Sequence, residues 1–445
     1  MIQLKEKKYS IHIQGCRTNQ YEGEAIAALL EKAGATCSFD VPDVSVVVSC
    51  TVTGAADSKC RKLIRKLRRE SPASLIIACG CYAQNMSSSQ REALGVDIVV
   101  GNRMKYRIPQ LASEWFSNNE KRTGLSVLDD DIMNTDKWDP LLLDRPRLHT
   151  RAFLKIQDGC HHFCSYCIIP YVRGKPVSRS MDDALSEAER IVGSGCPEIV
   201  LTGVHLGLYE DLPLLVRKIG SIHGLKRLRF GSIEPFAVDD KLLGALAQTE
   251  TFCPHLHLPL QSGDDGVLSK MRRGYTAEKF RKITDNIRHV LGDKIHLSTD
   301  LMVGFPTEDD TAFENSLRFI NDISFGKIHV FNYSPRKGTE AALMARPPEK
   351  EVKERVKKAH LAADRLLKEY CSKWIGKKVD VLVEDKQENF IKGLTRNYIK
   401  SAVFGQDAQI GEEIQVNTER YENGVLFSGI GTNNFSDKDE FPDFL

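Results

Sequence analysis

Three observations predict an α/β fold class in three parts: an N-terminal parallel α/β domain, a central partial (β/α)6 barrel and a small C-terminal β-barrel. Apolar runs alternate with helical stretches over residues 1–116. The same alternation resumes near residue 150 with more strands. After residue 375 only short runs of period two remain. A chain of 445 residues also exceeds one ordinary core.

In the first part, YSIHIQG (9–15), VSVVVS (44–49) and LIIAC (75–79) read as buried strands, with helices at about 19–33 and 54–70 between them. Strand and helix in alternation argue for a parallel sheet covered on both faces. Residues 117–149, with SNNEKRTG and DDDIMNTDKWDP, read as a linker. The second part, 150–375, opens with RAFLKIQDG and continues with strands at 198–203, 225–231, 255–260, 294–303 and 327–334. Six strands with helical crossovers suggest a closed or partly closed barrel. A charged helix over about 349–374 follows. The third part, 376–440, carries KVDVLVE, NFIKGLT, SAVFG, EIQVNTE and GVLFSGI, five strands of OB-like size.

A net charge of +2 names no partner. No apolar run approaches a membrane span, and MIQLKEKKYS lacks the apolar stretch of a secretory signal. The expectation is a cytoplasmic protein with reduced thiols and no membrane partner. Its 12 cysteines then read as ligands, catalysts or small buried hydrophobes.

Three cysteines crowd into DGCHHFCSYCIIPYVRG: Cys160, Cys164 and Cys167, spaced C-x3-C-x2-C on the loop after a strand. Ligands of parallel α/β sheets gather at such strand ends. Structural zinc wants four ligands, usually in two separated pairs. His161 and His162 adjoin Cys160 too closely to wrap back onto a shared tetrahedral ion. Ferredoxin-like clusters use four cysteines. Three thiolates on a four-iron cluster leave one iron open for a substrate or cofactor. The plain alternative is three buried thiols, which one loop does not easily provide.

A second trio is separated in sequence. Cys16, Cys50 and Cys81 each follow one strand of the first sheet. Consecutive parallel strands end on the same edge, so these thiols can converge, again with one iron left open. Cys79, Cys37, Cys60, Cys196, Cys253 and Cys371 lack partners at ligand spacing and read as small buried hydrophobes.

The C-x3-C-x-aromatic-C pattern, with Tyr166 at the aromatic position, resembles the radical S-adenosylmethionine enzymes. GCRTNQYEG, SCTVT, GCYAQ, GCHHFCSYCIIPYVRG and HLPLQSGDDGVLSKMRRGYT together closely resemble the methylthiotransferases among them. The group nearest in resemblance acts on N6-threonylcarbamoyladenosine of tRNA. The likeness covers nearly the whole chain, and the C-terminal module looks like a TRAM domain. Ser49 stands where the family usually has Asn, and Gly23 where it has a small hydroxyl residue; neither is a ligand.

The resemblance implies two 4Fe-4S clusters, one per cysteine trio, and S-adenosyl-L-methionine at the open iron of the Cys160 trio. A deoxyadenosyl radical would take hydrogen from carbon 2 of an adenine, which then receives a methylthio group. An aromatic C–H is neither acidic nor electrophilic, so acid–base or nucleophilic catalysis would not suffice. A low-potential electron donor is implied. Gly203, Ser232, Glu234 and Asp300 end later strands and, in similar enzymes, such ends line the cofactor cleft with Tyr166.

For the substrate, SKCRKLIRKLRRESP places seven cations between Lys59 and Arg69, among them Arg61, Arg65 and Arg68. A basic helix beside the Cys50 loop suits an RNA backbone, not DNA in this family's chemistry. The third part is net acidic, and its basic strip is Lys392, Arg396 and Lys400. The resemblance favours adenosine 37 of tRNA carrying the threonylcarbamoyl group. The alternatives are the isopentenyl-bearing adenosine and an aspartate of a ribosomal protein. Arg173 or Arg336 could meet the threonyl carboxylate.

Overall fold

The computed structural model describes residues 4–117, 125–127 and 132–429. The first sheet has six parallel strands, in the order Thr36–Cys37, Lys8–Ile13, Val44–Ser49, Leu75–Gly80, Ile98–Val100 and Leu125–Val127. Val44–Ser49 and Leu75–Gly80 are buried along their whole length, as unbroken apolar runs require between two helical layers. The three outermost short strands have no expected counterpart, because two or three residues carry no readable period. Helix Gly54–Glu70 starts under Thr53, whose side chain accepts from the Ala56 amide. It buries Cys60, Ile64 and Leu67, one helical stripe, and leaves Lys59, Lys62, Arg65, Lys66 and Arg69 exposed.

The segment expected as a linker is partly built in. Leu125–Val127 extends the sheet, Leu141 and Leu143 lie in the main core, and the amides of Lys105 and Tyr106 donate to Asp139. Apolar residues set singly among Asp and Pro gave no periodic signal. Residues 118–124 and 128–131 of that segment lie outside the described residues, as do 430–440 of the third part.

The central part is the partial barrel. Its parallel strands are Arg151–Asp158, Glu198–Gly203, Arg227–Phe230, His255–His257, His296–Val303 and Lys327–Asn332. The two triplets meet through bridges at Leu228–Phe252 and Ser232–His257. Among the described residues the first and last strands do not pair. Side chains alternate between faces along a strand. Ala152, Leu154, Ile156, Ile199, Leu201, Leu228 and Phe230 join the main apolar core. The alternate set is polar yet buried, including Arg151, Lys155, Gln157, Arg229, His255, His257 and Ser298. The concave face is therefore polar and covered by the other two parts.

The third part is a six-stranded sheet in the order Glu413–Asn417, Lys378–Lys386, Phe390–Thr395, Lys400–Phe404, Val425–Ser428 and Arg420–Glu422, one short strand more than expected. It is fastened by Arg227, which donates through Nε to Glu413 at 2.6 Å and through Nη1 and Nη2 to the carbonyls of Leu394 and Asp380, both at 2.9 Å. Burial alone would push the Glu198 carboxyl up, but Arg229, Arg151 and Arg227 bring it down to about 2.

Gly174 closes the helix Ile169–Arg173 with φ +74°, and a Cβ there would lie 1.9 Å from the Ile132 carbonyl oxygen. Gly174→Ala is expected to destabilise the chain by about 2 kcal/mol or more, read as an earlier denaturant midpoint. An unchanged midpoint would contradict this packing.

Candidate active site

The strand Arg151–Asp158 ends at Gly159, with φ +76°, where a Cβ would meet the Lys175 carbonyl at 2.1 Å. This tight turn starts the cysteine loop. The Cys160 amide donates to the Gly174 carbonyl at 3.0 Å, and the Cys167 amide to the Cys164 carbonyl at 2.9 Å. The His162 amide donates to Cys160 Sγ, and Arg273 Nη1 to Cys164 Sγ, each at 3.4 Å. Burial, and then the neighbouring Cys164, pushes the Cys167 thiol up to about 12; Cys160 adds to the rise. The three thiols therefore feel one another, and a bound cation would be needed to ionise them together.

The second trio also meets. Cys16 caps helix Arg17–Lys32, Cys50 directly follows Val44–Ser49, and Cys81 directly follows Leu75–Gly80. A Cβ on Gly15 would strike Cys50 Cβ at 2.5 Å, so this glycine lets the Cys16 and Cys50 loops touch. Gly80, at φ +89°, makes the turn into Cys81 where a Cβ would lie 2.5 Å from the Ser49 carbonyl. Burial, and then Cys81 and Cys16, pushes the Cys50 thiol up to about 12. Ser49 donates to the Cys79 carbonyl and accepts from the Ala83 amide, tying the Cys50 and Cys81 turns.

A cavity of about 190 Å3 lies between the first and central parts. Val52 and Thr53, just after Cys50, form one side. Tyr166, Cys167, Gln261, Asp300, Met302 and Tyr333 are among the residues on the other. Burial would raise the Asp300 carboxyl, but His257, with Nε2 at 3.2 Å, outweighs it and holds it below the usual carboxylate range. Gly203, Ser232 and Glu234 are not among the lining residues; Glu234 accepts from Arg273 Nη2 at 2.6 Å.

Both trios present soft sulfur donors, three at a time, which fits an iron–sulfur cube with one open corner. Among the described residues no three His, Cys, Asp or Glu side chains gather as a single ion requires.

Residues 154–320 match the Radical SAM superfamily, and residues 8–101 match Uncharacterized protein family UPF0004. The chain is 36% identical over 422 residues to the threonylcarbamoyladenosine tRNA methylthiotransferase MtaB of Bacillus subtilis, covering 92% of each chain. The chain belongs to the methylthiotransferase family of radical S-adenosylmethionine enzymes. It is also 35% identical to the tRNA-2-methylthio-N(6)-dimethylallyladenosine synthase of Legionella pneumophila, over 85% of this chain and 87% of that one. The radical S-adenosylmethionine methyltransferase TsrM of Kitasatospora setae, solved with cobalamin and a [4Fe-4S] cluster, shares the fold. Its TM-score is 0.57 at 14% identity, over 76% of this chain and 77% of that one.

The cations expected at an RNA surface of this methylthiotransferase divide. Arg65 is exposed and Arg61 half-buried on helix Gly54–Glu70. Arg68 turns inward, donating to the carbonyls of Gly95, Pro72 and Ser74 and pairing with Asp97. Lys392 is buried. Arg396 donates to Glu413 and to the carbonyls of Glu250 and Lys226, so it fastens the β module to the barrel. Lys400 is half-buried. Arg68, Lys392 and Arg396 are thus corrected from surface to packing positions: strip composition does not say which way a side chain points.

The two substrate cations are also engaged. Arg173 is buried against Glu22, Asp158, Asn19 and Cys81 rather than facing the cavity. Arg336 Nη2 donates to Thr51 Oγ1 at 2.8 Å and Asp57 at 2.6 Å. Cys37 is exposed on a short edge strand, correcting its expected burial; the other five non-ligand cysteines are buried. Sequence reasoning missed Arg273, His257 and Asn19. The only signal for Arg273 was its place in MRRGYT, which does not say which arginine turns inward.

Arg273 is nearly fully buried and donates to Glu234, Cys164, Tyr275 and the Pro259 carbonyl. Glu234→Gln removes the only carboxylate paired with it among the described residues and is expected to destabilise by about 1.5–3 kcal/mol. Thermal unfolding of the metal-free protein checks this, and a wild-type midpoint would show that Glu234 does not hold Arg273.

Proposed function

We propose that the chain is a tRNA methylthiotransferase that adds a methylthio group to carbon 2 of N6-threonylcarbamoyladenosine at position 37, beside the anticodon. The observation that carries this reading is one cavity bordered by Cys167 of one trio and by Val52 and Thr53, which follow Cys50 of the other. Radical generation and sulfur delivery then face the same substrate atom. The relatives named for tRNA substrates support the RNA class, and the 36% identical relative is named for the threonylcarbamoyl base.

Cys160, Cys164 and Cys167 would hold the cluster that binds S-adenosyl-L-methionine, and Cys16, Cys50 and Cys81 a second one. When bound, these groups supply the radical and the sulfur that an inert aromatic C–H demands. Tyr166, Met302 and Tyr333 wall the cavity against water, which protects reactive species. Asp300, oriented by His257, offers an acceptor to a hydroxyl or amino group. Arg336 adjoins the cavity-lining Ser334 and pairs with Asp57, and a threonyl carboxylate would compete for it. Exposed Lys62, Arg65 and Arg69 on helix Gly54–Glu70 offer a phosphate-binding face next to Cys50. The C-terminal sheet serves as a TRAM module. A low-potential donor in the cytoplasm completes the scheme.

Anaerobic reconstitution should give about eight irons, and changing Cys160, Cys164 and Cys167 together to Ala should leave about four. Retention of eight would overturn the ligand assignment. Mass spectrometry of digested tRNA from cells lacking the gene should show loss of the methylthio form of threonylcarbamoyladenosine. Loss of the isopentenyl form, or of a modified ribosomal aspartate, would select a sister activity.

A further inference from the structure

The guanidinium of Arg173 comes from the central part but sits inside the second cysteine trio. Its Nε donates to Cys81 Sγ at 3.2 Å. Nη1 donates to Glu22 at 2.6 Å and to Asp158 at 3.3 Å. Nη2 donates to Asn19 Oδ1 at 2.7 Å. Asn19 Nδ2 in turn donates to the carbonyls of Gln14 at 2.7 Å and Ser49 at 3.1 Å. Those carbonyls lie just before Cys16 and Cys50. One side chain thus touches Cys81 directly and steadies the other two loops through Asn19.

We propose that Arg173 is a positioning residue of the Cys16–Cys50–Cys81 site, lent across the domain border to hold the Cys81 sulfur and set its electron affinity. This rests on the reading that the trio carries a cluster. Glu22 and Asp158 already answer the charge of Arg173, with Lys155 bonded to both at 2.7 and 2.6 Å. With Lys105 also on Glu22 at 3.3 Å, Cys81 meets both the guanidinium charge and a directed N–H, and a lysine at this position would keep the first without the second. With the other nitrogens fixed by carboxylates and Asn19, the planar fork leaves Nε one direction. A hydrogen bond to a ligand sulfur favours the more negative, reduced state of its cluster and tightens metal retention.

The test uses full-length protein with Cys160, Cys164 and Cys167 changed to Ala, reconstituted anaerobically. About four irons with Arg173 intact support the underlying reading, and none would remove that reading itself. In this background Arg173→Lys keeps a cation for Glu22 but loses the Nε donor. The expected result is a more negative reduction potential, altered EPR g-values and about 10- to 100-fold weaker iron retention against a chelator. Arg179→Lys, the same change at a buried arginine bonded to Glu187 rather than to a cysteine, should leave the potential in place. An unmoved potential in Arg173→Lys, or an equal shift in Arg179→Lys, would overturn the proposal. Should Arg173→Lys not fold, pulsed EPR on the background protein labelled with 15N-arginine decides. A hyperfine coupling to one arginine nitrogen is expected, and its absence would overturn the assignment.

Discussion

The geometry depends first on a buried ionic knot at the border of the first two parts. Glu22, from the first helix, meets Arg173 at 2.6 Å, Lys155 at 2.7 Å and Lys105 at 3.3 Å. Asp158 closes the knot against Lys155 and Arg173. Burial would drive both carboxyls up, yet the cations outweigh it: Glu22 is brought down to about 2 and Asp158 lower still. Taking so many charges out of water is costly, and removing one partner from a buried pair typically costs about 3–5 kcal/mol. The knot therefore admits few relative placements of the two parts. It lies between the Cys81 turn and the strand that leads into Cys160, so it sets the distance over which the two trios face each other.

A second knot does the same for the β module. Glu198 gathers Arg229 and Arg227 from the neighbouring strand, and Arg227 continues to Glu413. The turn after Phe390–Thr395 enters the concave face, where Tyr398 stacks on His255 and accepts from Arg17, the residue after Cys16. The C-terminal sheet is thereby joined to a cysteine loop through two side chains. The polar lining of the barrel follows from this: the concave face meets charged partners and a cofactor cleft, whereas the convex face meets helices.

Much of the fold was legible because its signals are local. VSVVVS and LIIAC are unbroken apolar runs and became central strands. The spacing of Cys160, Cys164 and Cys167 placed them on one loop, and the helix expected at about 54–70 forms as Gly54–Glu70. The convergence of Cys16, Cys50 and Cys81 was also legible, since parallel topology puts consecutive strand ends on one edge. The short strands at Thr36–Cys37 and Ile98–Val100 were not, because pairing with a longer neighbour rather than pattern creates them.

The sequence by itself determined the class of chemistry: three thiols per site, glycines where the backbone crowds the turns, and alternating elements that bring them to one rim. Only the tertiary structure decided which charges are free to meet a substrate. Arg68, Arg173 and Arg396 look alike on paper, yet each is engaged by carbonyls or carboxylates that packing brings from elsewhere, 151 positions away for Arg173 and Glu22. A side chain's period is set by its own strand or helix, whereas its partner is set by how separate elements dock, and no local pattern encodes that.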